Sequence, residues 1–588
     1  MKSYKTLPIG IDNFKEIIEK ECYYVDKTLL IQKLLDTTSK VTLFTRPRRF
    51  GKSLNLSMLC YYFERNENSF LKYDDVEGDG KEFVEENRGT HHHREKGNLF
   101  HGLKIASVGE EYQKYQEKYP VILLNYKEAI HGKFDYSYDA ICRMIAYEYR
   151  RHQKILDCNR LSKEEVEQYK MIQNHQGDYM TMVHSIHFLS ECLEKAYGEK
   201  VVILIDEYDV PLQTAHFRGY YKEMIDFIRG MFSVTLKTNG SLAFAVMTGC
   251  LRISKESIFT GLNNLKVVSI ENKTYGEFFG FTEEEVAEML LYYGRESQIK
   301  QIREWYNGYS FGGIQVYNPW SLMNYMEALW EDEYAMPISY WSNTSSNSII
   351  KELVYQADDV VKGELEALMA GGTIEKAIHE DITYEEVYQN KDNLWNFLYF
   401  TGYLTKKGER WANRKVHVDL VIPNEEVAYI YEEHIMEWMR NYLNNMDLSK
   451  LYQGTLAGDT DEMEGEITRA LERTISCYDG TVPNQRETFY HGVMIGLYQG
   501  MKAYLPLSNR EHGNGRPDFI VKYISHRGKA CIIELKVSER AQDLEKVAQK
   551  ALKQVREKEY RKGLEDEGYT DIVEYGIAFY KKSCVVRK

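Results

Sequence analysis

No stretch of the chain approaches the ~20 consecutive apolar residues that cross a bilayer. The first residues, MKSYKTLPIGIDNF, hold no apolar segment of the signal-peptide kind. A membrane-embedded or secreted protein is not expected, and a cytoplasmic one is. The nine cysteines are scattered, with no C-x-x-C pair. That argues against zinc clusters and disulfide frameworks and fits reduced thiols. Internal repeats and long low-complexity tracts are also missing. What remains is an ordinary globular composition, 43% hydrophobic and 28% charged. The 588 residues leave room for about three or four domains.

The net charge is −14 but uneven. From Thr481 to Lys588 there are 20 Lys/Arg against 14 Asp/Glu, so this end carries +6. A basic end on an acidic body suggests that one module meets a polyanion. The stretch HHHREKG (91–97) reads as a solvated loop, because adjacent histidines point in different directions. GDTDEMEGE (458–466) reads as an acidic linker or loop.

Short aliphatic runs recur in the first ~280 residues: VTLFT (41–45), VILLN (121–125), VVILID (201–206), LAFAVMT (242–248) and KVVSI (266–270). Such runs, alternating with helical patterns, predict strands buried on both faces of a parallel sheet. Residues 281–450 are mostly helical in pattern. A hairpin-like stretch follows a helix ending near Phe400, which fits either a winged-helix module or a plain helical lid. The last ~105 residues predict the order αβββαβ.

Two motifs carry chemistry in the first part. Gly51-Lys52-Ser53 follows the first strand and opens a helical pattern. It matches the end of the phosphate-loop signature, in which backbone N–H groups and a helix N-terminus face a phosphate. Lys52 would reach the β/γ-phosphates and Ser53 would ligate Mg²⁺. Arg46 stands where the signature has its first glycine, and Pro47, Arg48 and Arg49 make the loop stiff and basic. The run Val201–Ile205 ends in Asp206-Glu207, a Walker-B arrangement. Asp206 would join the Mg²⁺ shell and Glu207 would polarise the attacking water. Thr248, ending a later strand, and Arg252 are candidates for sensing the γ-phosphate and stabilising transition-state charge; a helix-cap threonine and a surface arginine fit equally well.

The second constellation lies near the end. Pro517-Asp518 is followed by Glu534-Leu535-Lys536. Side chains i and i+2 of a strand share a face, so Glu534 and Lys536 point one way and Leu535 points into the core. Asp518, starting the neighbouring strand, can sit beside them. Two carboxylates and a carbonyl suit Mg²⁺ or Mn²⁺. Lys536 can orient or help activate water for phosphodiester hydrolysis. Arg510, Arg516, Lys529, Lys550 and Lys553 are available for backbone phosphates.

RPRRFGKS, VVILIDEYD, TGCLRISKESIFTGLNNL, WYNGYSFGGIQVYNPWSL and NLWNFLYFTGYLT together resemble the bacterial AAA-ATPase-like family, whose members often carry a C-terminal PD-(D/E)XK nuclease domain. The resemblance spans nearly the whole chain. It implies that Arg46 is a habit of the family. It also implies a restriction-endonuclease-like C-terminal core. An additional acid is expected before that core: Glu487, with His491 on the same helical face, or Glu511. Gln554 would contact the metal water or a nucleotide. The family's Q-x-x-x-Y spacing is broken here, since 558 is Lys and the next tyrosine is Tyr560.

The expected protein is an α/β multidomain chain. Residues 1–280 would bind ATP and Mg²⁺, 281–465 would form the helical or winged-helix middle, and 466–588 would form a Mg²⁺- or Mn²⁺-dependent nuclease acting on nucleic acid, DNA favoured, under ATP control. Trans-acting arginines suggest a homo-oligomer. The residues leave a second reading open, an ATP-switched nucleic-acid-binding or signalling protein whose nuclease-like domain does not cut.

Overall fold

The strand at 41–45 is buried at every position, and the one at 201–206 likewise. Neither has a polar face to offer water, so both must lie inside a sheet covered on two sides. The computed structural model of the chain describes residues 4–65, 99–252, 264–341, 359–369, 371–380, 387, 391–412, 414–443, 446–474, 487–498, 500–508 and 517–588. The 91–97 histidine stretch, Arg510, Glu511 and Arg516 lie outside the described residues. The described part divides into two compact units. One comprises Met1–Tyr340 with Lys376–Val418, and the other Trp341–Glu375 with Asp419–Lys588.

The first unit holds a five-stranded, wholly parallel sheet. Its strands are β1 (Val41–Thr45), β2 (Val121–Asn125), β3 (Val201–Asp206), β4 (Leu242–Gly249) and β5 (Leu265–Val268), in the order β2-β3-β4-β1-β5. The five strands predicted from aliphatic runs are these five. Helix α1 (Lys52–Phe63) follows β1 and is apolar nearly all round, with Leu56, Met58, Leu59, Cys60, Tyr61, Tyr62 and Phe63 buried. A helix of that kind belongs in the middle of a unit rather than on its surface.

Strand β2 is an edge, so its outward backbone groups need partners. Helix α2 (Phe134–Arg151) supplies them. Glu148 accepts the Leu123 N–H (2.8 Å), and both Arg151 and His152 donate to the Val121 carbonyl. Arg151 also pairs with Glu148 and with Glu64, the residue just past α1. All four side chains are buried.

After β5 the first unit continues through a hairpin, β6 (Tyr309–Phe311) with β7 (Ile314–Val316), and helix α3 (Pro319–Glu331). A helix ending at Phe400 leads into neighbouring strands β8 (Thr405–Ala412) and β9 (Lys415–Val421), where the sequence predicted a hairpin.

The second unit is built on a mixed sheet. From residue 449 onward its α-helices, among the described residues, are α4 (Ser449–Ala457), α5 (Thr460–Thr474), α6 (Glu487–Tyr498), α7 (Leu544–Glu557) and α8 (Tyr560–Asp566). Its strands are β10 (Tyr504–Ser508), β11 (Phe519–Tyr523), β12 (Lys529–Val537), β13 (Asp571–Tyr580) and β14 (Ser583–Arg587), in sequence order across the sheet. Only the β12–β13 pair is parallel. Alternation along β12 divides the core. Cys531, Ile533 and Leu535 pack with Met463, Ile467, Tyr490 and Leu497 from α5 and α6. Ala530 and Ile532 pack on the other face with Val555, Tyr560 and Leu564.

Two expectations are corrected here. The acidic stretch 458–466 is not a linker. It opens helix α5, whose Met463, Ile467, Ala470 and Leu471 form one buried stripe, while Glu464 pairs with Arg587 and the buried Glu466 pairs with Arg469. Asp459 caps it by accepting the Glu462 N–H. This helix runs through the 465/466 boundary drawn from the sequence. The order αβββαβ is also incomplete: α8 is inserted before β13, and β14 pairs antiparallel to β13 after it.

Candidate nucleotide and metal centres

Parallel packing brings the C-terminal ends of β1, β3 and β4 to one edge of the first sheet, the position where open α/β sheets bind ligands. Phe44 lies opposite Thr248, and Thr45 opposite Gly249. The chain leaves β1 through Arg46–Phe50 and enters α1 at Gly51, whose φ of 78° suits a residue without a Cβ. The first turn of α1 leaves backbone N–H groups pointing out of the helix N-terminus. Lys52 is buried and folds back to donate to the carbonyls of Arg46 (3.0 Å) and Pro47 (2.8 Å).

Asp206, at the end of β3, accepts hydrogen bonds from the hydroxyls of Thr248 and Ser53. Burial, followed by the charge of Glu207, pushes this carboxyl upward. The two hydroxyls and the charge of Lys52 oppose that shift. Glu207 has a left-handed backbone (φ 50°), and its N–H donates to Thr248 Oγ1 (3.4 Å). Four predicted residues, Lys52, Ser53, Asp206 and Thr248, thus meet at one place, with Glu207 on its rim. Arg252 lies 3.8 Å from Glu380.

Arg46 is not a phosphate ligand in this arrangement. It is fully buried, donates to the carbonyls of Thr45 (2.8 Å) and Val268 (2.9 Å), and lies over the rings of Phe279 and Phe311. It ties the ends of β1 and β5 together, and burial lowers its pKa to about 9.

In the second unit, Glu534 grips the backbone of Asp518, and Asp518 that of Leu535, the residue after Glu534. Asp518 Oδ2 accepts the Leu535 N–H (2.8 Å), and Glu534 Oε2 accepts the Asp518 N–H (3.4 Å). Gln554 Nε2 donates to Glu534 Oε1, and Lys536 Nζ lies 3.8 Å from the same oxygen. His491 of α6 donates to the Asp518 carbonyl (2.7 Å). Glu487 is the first residue of α6. Lys529 is committed elsewhere, to the Leu456 carbonyl (2.6 Å) and Asp571 (3.6 Å). It lies five residues from Glu534 along β12, about 16 Å at strand spacing. Lys550 and Lys553 are exposed on α7, with Lys553 beside Glu557. Among the described residues, no group of three His, Cys, Asp or Glu side chains forms a metal cluster. Two carboxylates and the neighbouring carbonyls make an oxygen-only donor set, which suits a hard divalent cation.

Comparison with known proteins agrees with this division. Residues 8–75 and 89–259 match the family described as a predicted AAA-ATPase. Residues 485–588 match the PD-(D/E)XK nuclease superfamily. The chain thus has an N-terminal match to one family model and a C-terminal match to another. It is also 26% identical over 574 residues to an uncharacterized protein in the vnfD 5′ region of Azotobacter chroococcum mcd 1, covering 95% of this chain and 93% of that one.

Two residues of these centres escape sequence reasoning. Asp209 is buried beyond β3 in the first unit. Its Oδ2 accepts the N–H groups of Cys250 (2.8 Å) and Leu251 (3.1 Å) and so fastens the end of β4. Only the adjacency of β3 and β4 reveals this, and no local pattern does. Tyr560 stands six residues after Gln554, yet their side chains hydrogen-bond beside Glu534. Glu559 has a left-handed backbone (φ 51°), which ends α7 and turns the chain so that Tyr560 returns to the site. Burial, then the charge of Glu534, pushes the Tyr560 hydroxyl upward.

In the second unit, Gly576 lies opposite Glu534 on β13. A Cβ there would meet Ala548 O and Leu552 N of α7 at 2.3 Å. The missing side chain lets α7 lie close enough for Gln554 to reach Glu534. Gly576→Ala is expected to cost about 1–3 kcal/mol through overpacking. It should also lower any cleavage activity by about 10–100-fold through displacement of Gln554. Thermal unfolding and a cleavage assay on the same preparation would check both.

Proposed function

We propose that the chain binds and hydrolyses ATP with Mg²⁺ at the β1–α1 loop. The C-terminal domain hydrolyses phosphodiester bonds in nucleic acid, DNA favoured, with Mg²⁺ or Mn²⁺, under control of the nucleotide. The Asp518/Glu534 clasp, with Lys536 and Gln554 on the same carboxylate, carries the cleavage reading. A half-exposed surface Glu–Lys pair has no need of a second acid locked against its backbone. Asp518 and Glu534 would hold the cation, which supplies charge stabilisation to the phosphate. Lys536 presents its ammonium beside Glu534, where it can orient water. In the first domain, Ser53 and Asp206 would hold Mg²⁺, Lys52 and Arg49 would hold phosphates, and Glu207 would orient the attacking water.

The test is divalent-metal-dependent cleavage of duplex and single-stranded DNA, and of RNA, with and without ATP, in the wild type and Lys52→Ala. The expected result is cleavage that changes with ATP in the wild type and no longer responds to it in Lys52→Ala. Equal rates with and without ATP in the wild type would remove nucleotide control. Nucleic-acid binding without cleavage in both metals would replace the nuclease by an ATP-switched binding protein.

A further inference from the structure

The segment WYNGYSFGGIQVYNPWSL (305–322) has no part in the chemistry above, yet the phosphate loop rests on it. Phe50, fully buried, stands edge-on to Tyr309 (4.9 Å) and Phe311 (5.0 Å). Arg46 lies over Phe311 at 5.2 Å. Arg49, between them in sequence, lies over the ring of Trp320 at 4.3 Å, the shortest cation–ring distance of the three this loop makes. Its backbone is left-handed (φ 70°), a conformation that a residue with a Cβ adopts only when its surroundings hold it there.

Trp320 is itself firmly placed. Asn318 Oδ1 caps α3 by accepting the N–H groups of Trp320 (3.0 Å) and Ser321 (3.4 Å), and Pro319 occupies the first helical position. Among the described residues, the buried indole Nε1–H has no hydrogen-bond partner. The polar edge of the ring therefore anchors nothing, and its described polar contact is the one its face makes with the guanidinium.

We propose that Trp320 is a positioning residue of the nucleotide site, holding the Arg49 guanidinium by its indole face so that the N–H donors of Arg49 stay directed at phosphate oxygens. This rests on the ATP reading of the loop. An unstacked arginine would lose rotamer freedom on gripping a phosphate; one already stacked on a fixed ring, as Arg49 is although exposed, has lost most of it beforehand.

The experiment is equilibrium titration of the full chain with a fluorescent ATP analogue and Mg²⁺. It compares the wild type with Trp320→Leu, Trp320→Phe, Arg49→Ala, and the Trp320→Leu/Arg49→Ala double variant. Trp320→Leu should weaken binding by about 3–30-fold, the range a cation–π contact spans. Trp320→Phe should recover most of the loss, and the double variant should bind no worse than Arg49→Ala. Unchanged affinity in Trp320→Leu, or losses that simply add in the double variant, would overturn the proposal while leaving the ATP site standing. Absence of binding by the wild type would overturn both. If Trp320→Leu does not fold, intrinsic emission decides instead. The wild type should show an ATP-induced change that disappears in Trp320→Phe and in Arg49→Ala; an unaltered change in either variant overturns the assignment.

Discussion

Glu534→Gln is expected to leave the protein folded and able to bind nucleic acid, and to lower metal-dependent cleavage by more than ~100-fold. Partners that merely orient metal ligands are worth about 10–100-fold, and a ligand carboxylate should exceed them. The substitution is nearly isosteric, but it removes the charge a cation needs. It also introduces an NH₂ group where every neighbour is a donor. One oxygen of Glu534 faces Gln554 Nε2 and Lys536 Nζ, and the other faces the Asp518 N–H. Whichever way the new amide turns, one side meets donor against donor. Cleavage at several Mg²⁺ and Mn²⁺ concentrations, with nucleotide hydrolysis measured in parallel, would check it. A selective loss of cleavage supports the assignment. Cleavage within a few-fold of wild type would move the catalytic centre away from β12.

How much of this could be read beforehand depends on whether the signal is local. The parallel strands were legible because a strand covered on both faces must be aliphatic throughout, and VVILID admits little else. The i, i+2 relation of Glu534 and Lys536 was legible for the same reason: strand periodicity alone puts them on one face, with Leu535 in the core. Helix α5 was hidden by composition. Its acids dominate the letters, while the residues that decide its fate, Met463, Ile467 and Leu471, recur at intervals of four. The return of Tyr560 depends on one left-handed residue, Glu559, and spacing rules that assume an unbroken helix miss it. Asp209 and Trp320 act through partners about 40 and 270 positions away in the chain, and only the folded arrangement shows them.

The largest stability effect should come from Arg151→Met. Arg151 is buried and pairs with Glu64 and Glu148, which are buried as well. Removing it leaves two carboxylates in a low-dielectric site without their cation, which typically costs about 3–5 kcal/mol. The edge of β2 loses one partner with it, since the Val121 carbonyl takes one of its bonds from Arg151. The dependence on pH separates this cause from simple loss of packing. In the wild type, burial alone would raise the Glu148 pKa. The charge and hydrogen bond of Arg151, with help from His152, outweigh burial and hold it at about 2, against an ordinary value of 4.5. That contribution is fully present above pH 4.5 and fades as the pH falls toward 2. Without Arg151, burial dominates and the folded-state pKa moves above the unfolded one, so the sign reverses. The penalty should then be greatest at neutral pH and shrink as acid protonates the stranded carboxylates. Thermal unfolding of wild type and Arg151→Met between pH 4 and pH 8 would show the gap narrowing toward the acid end. A gap independent of pH would mean that volume, not charge, is what Arg151 supplies. The triple variant Glu64→Gln/Glu148→Gln/Arg151→Met should regain part of the loss at pH 7, because no buried charge is then left without its partner.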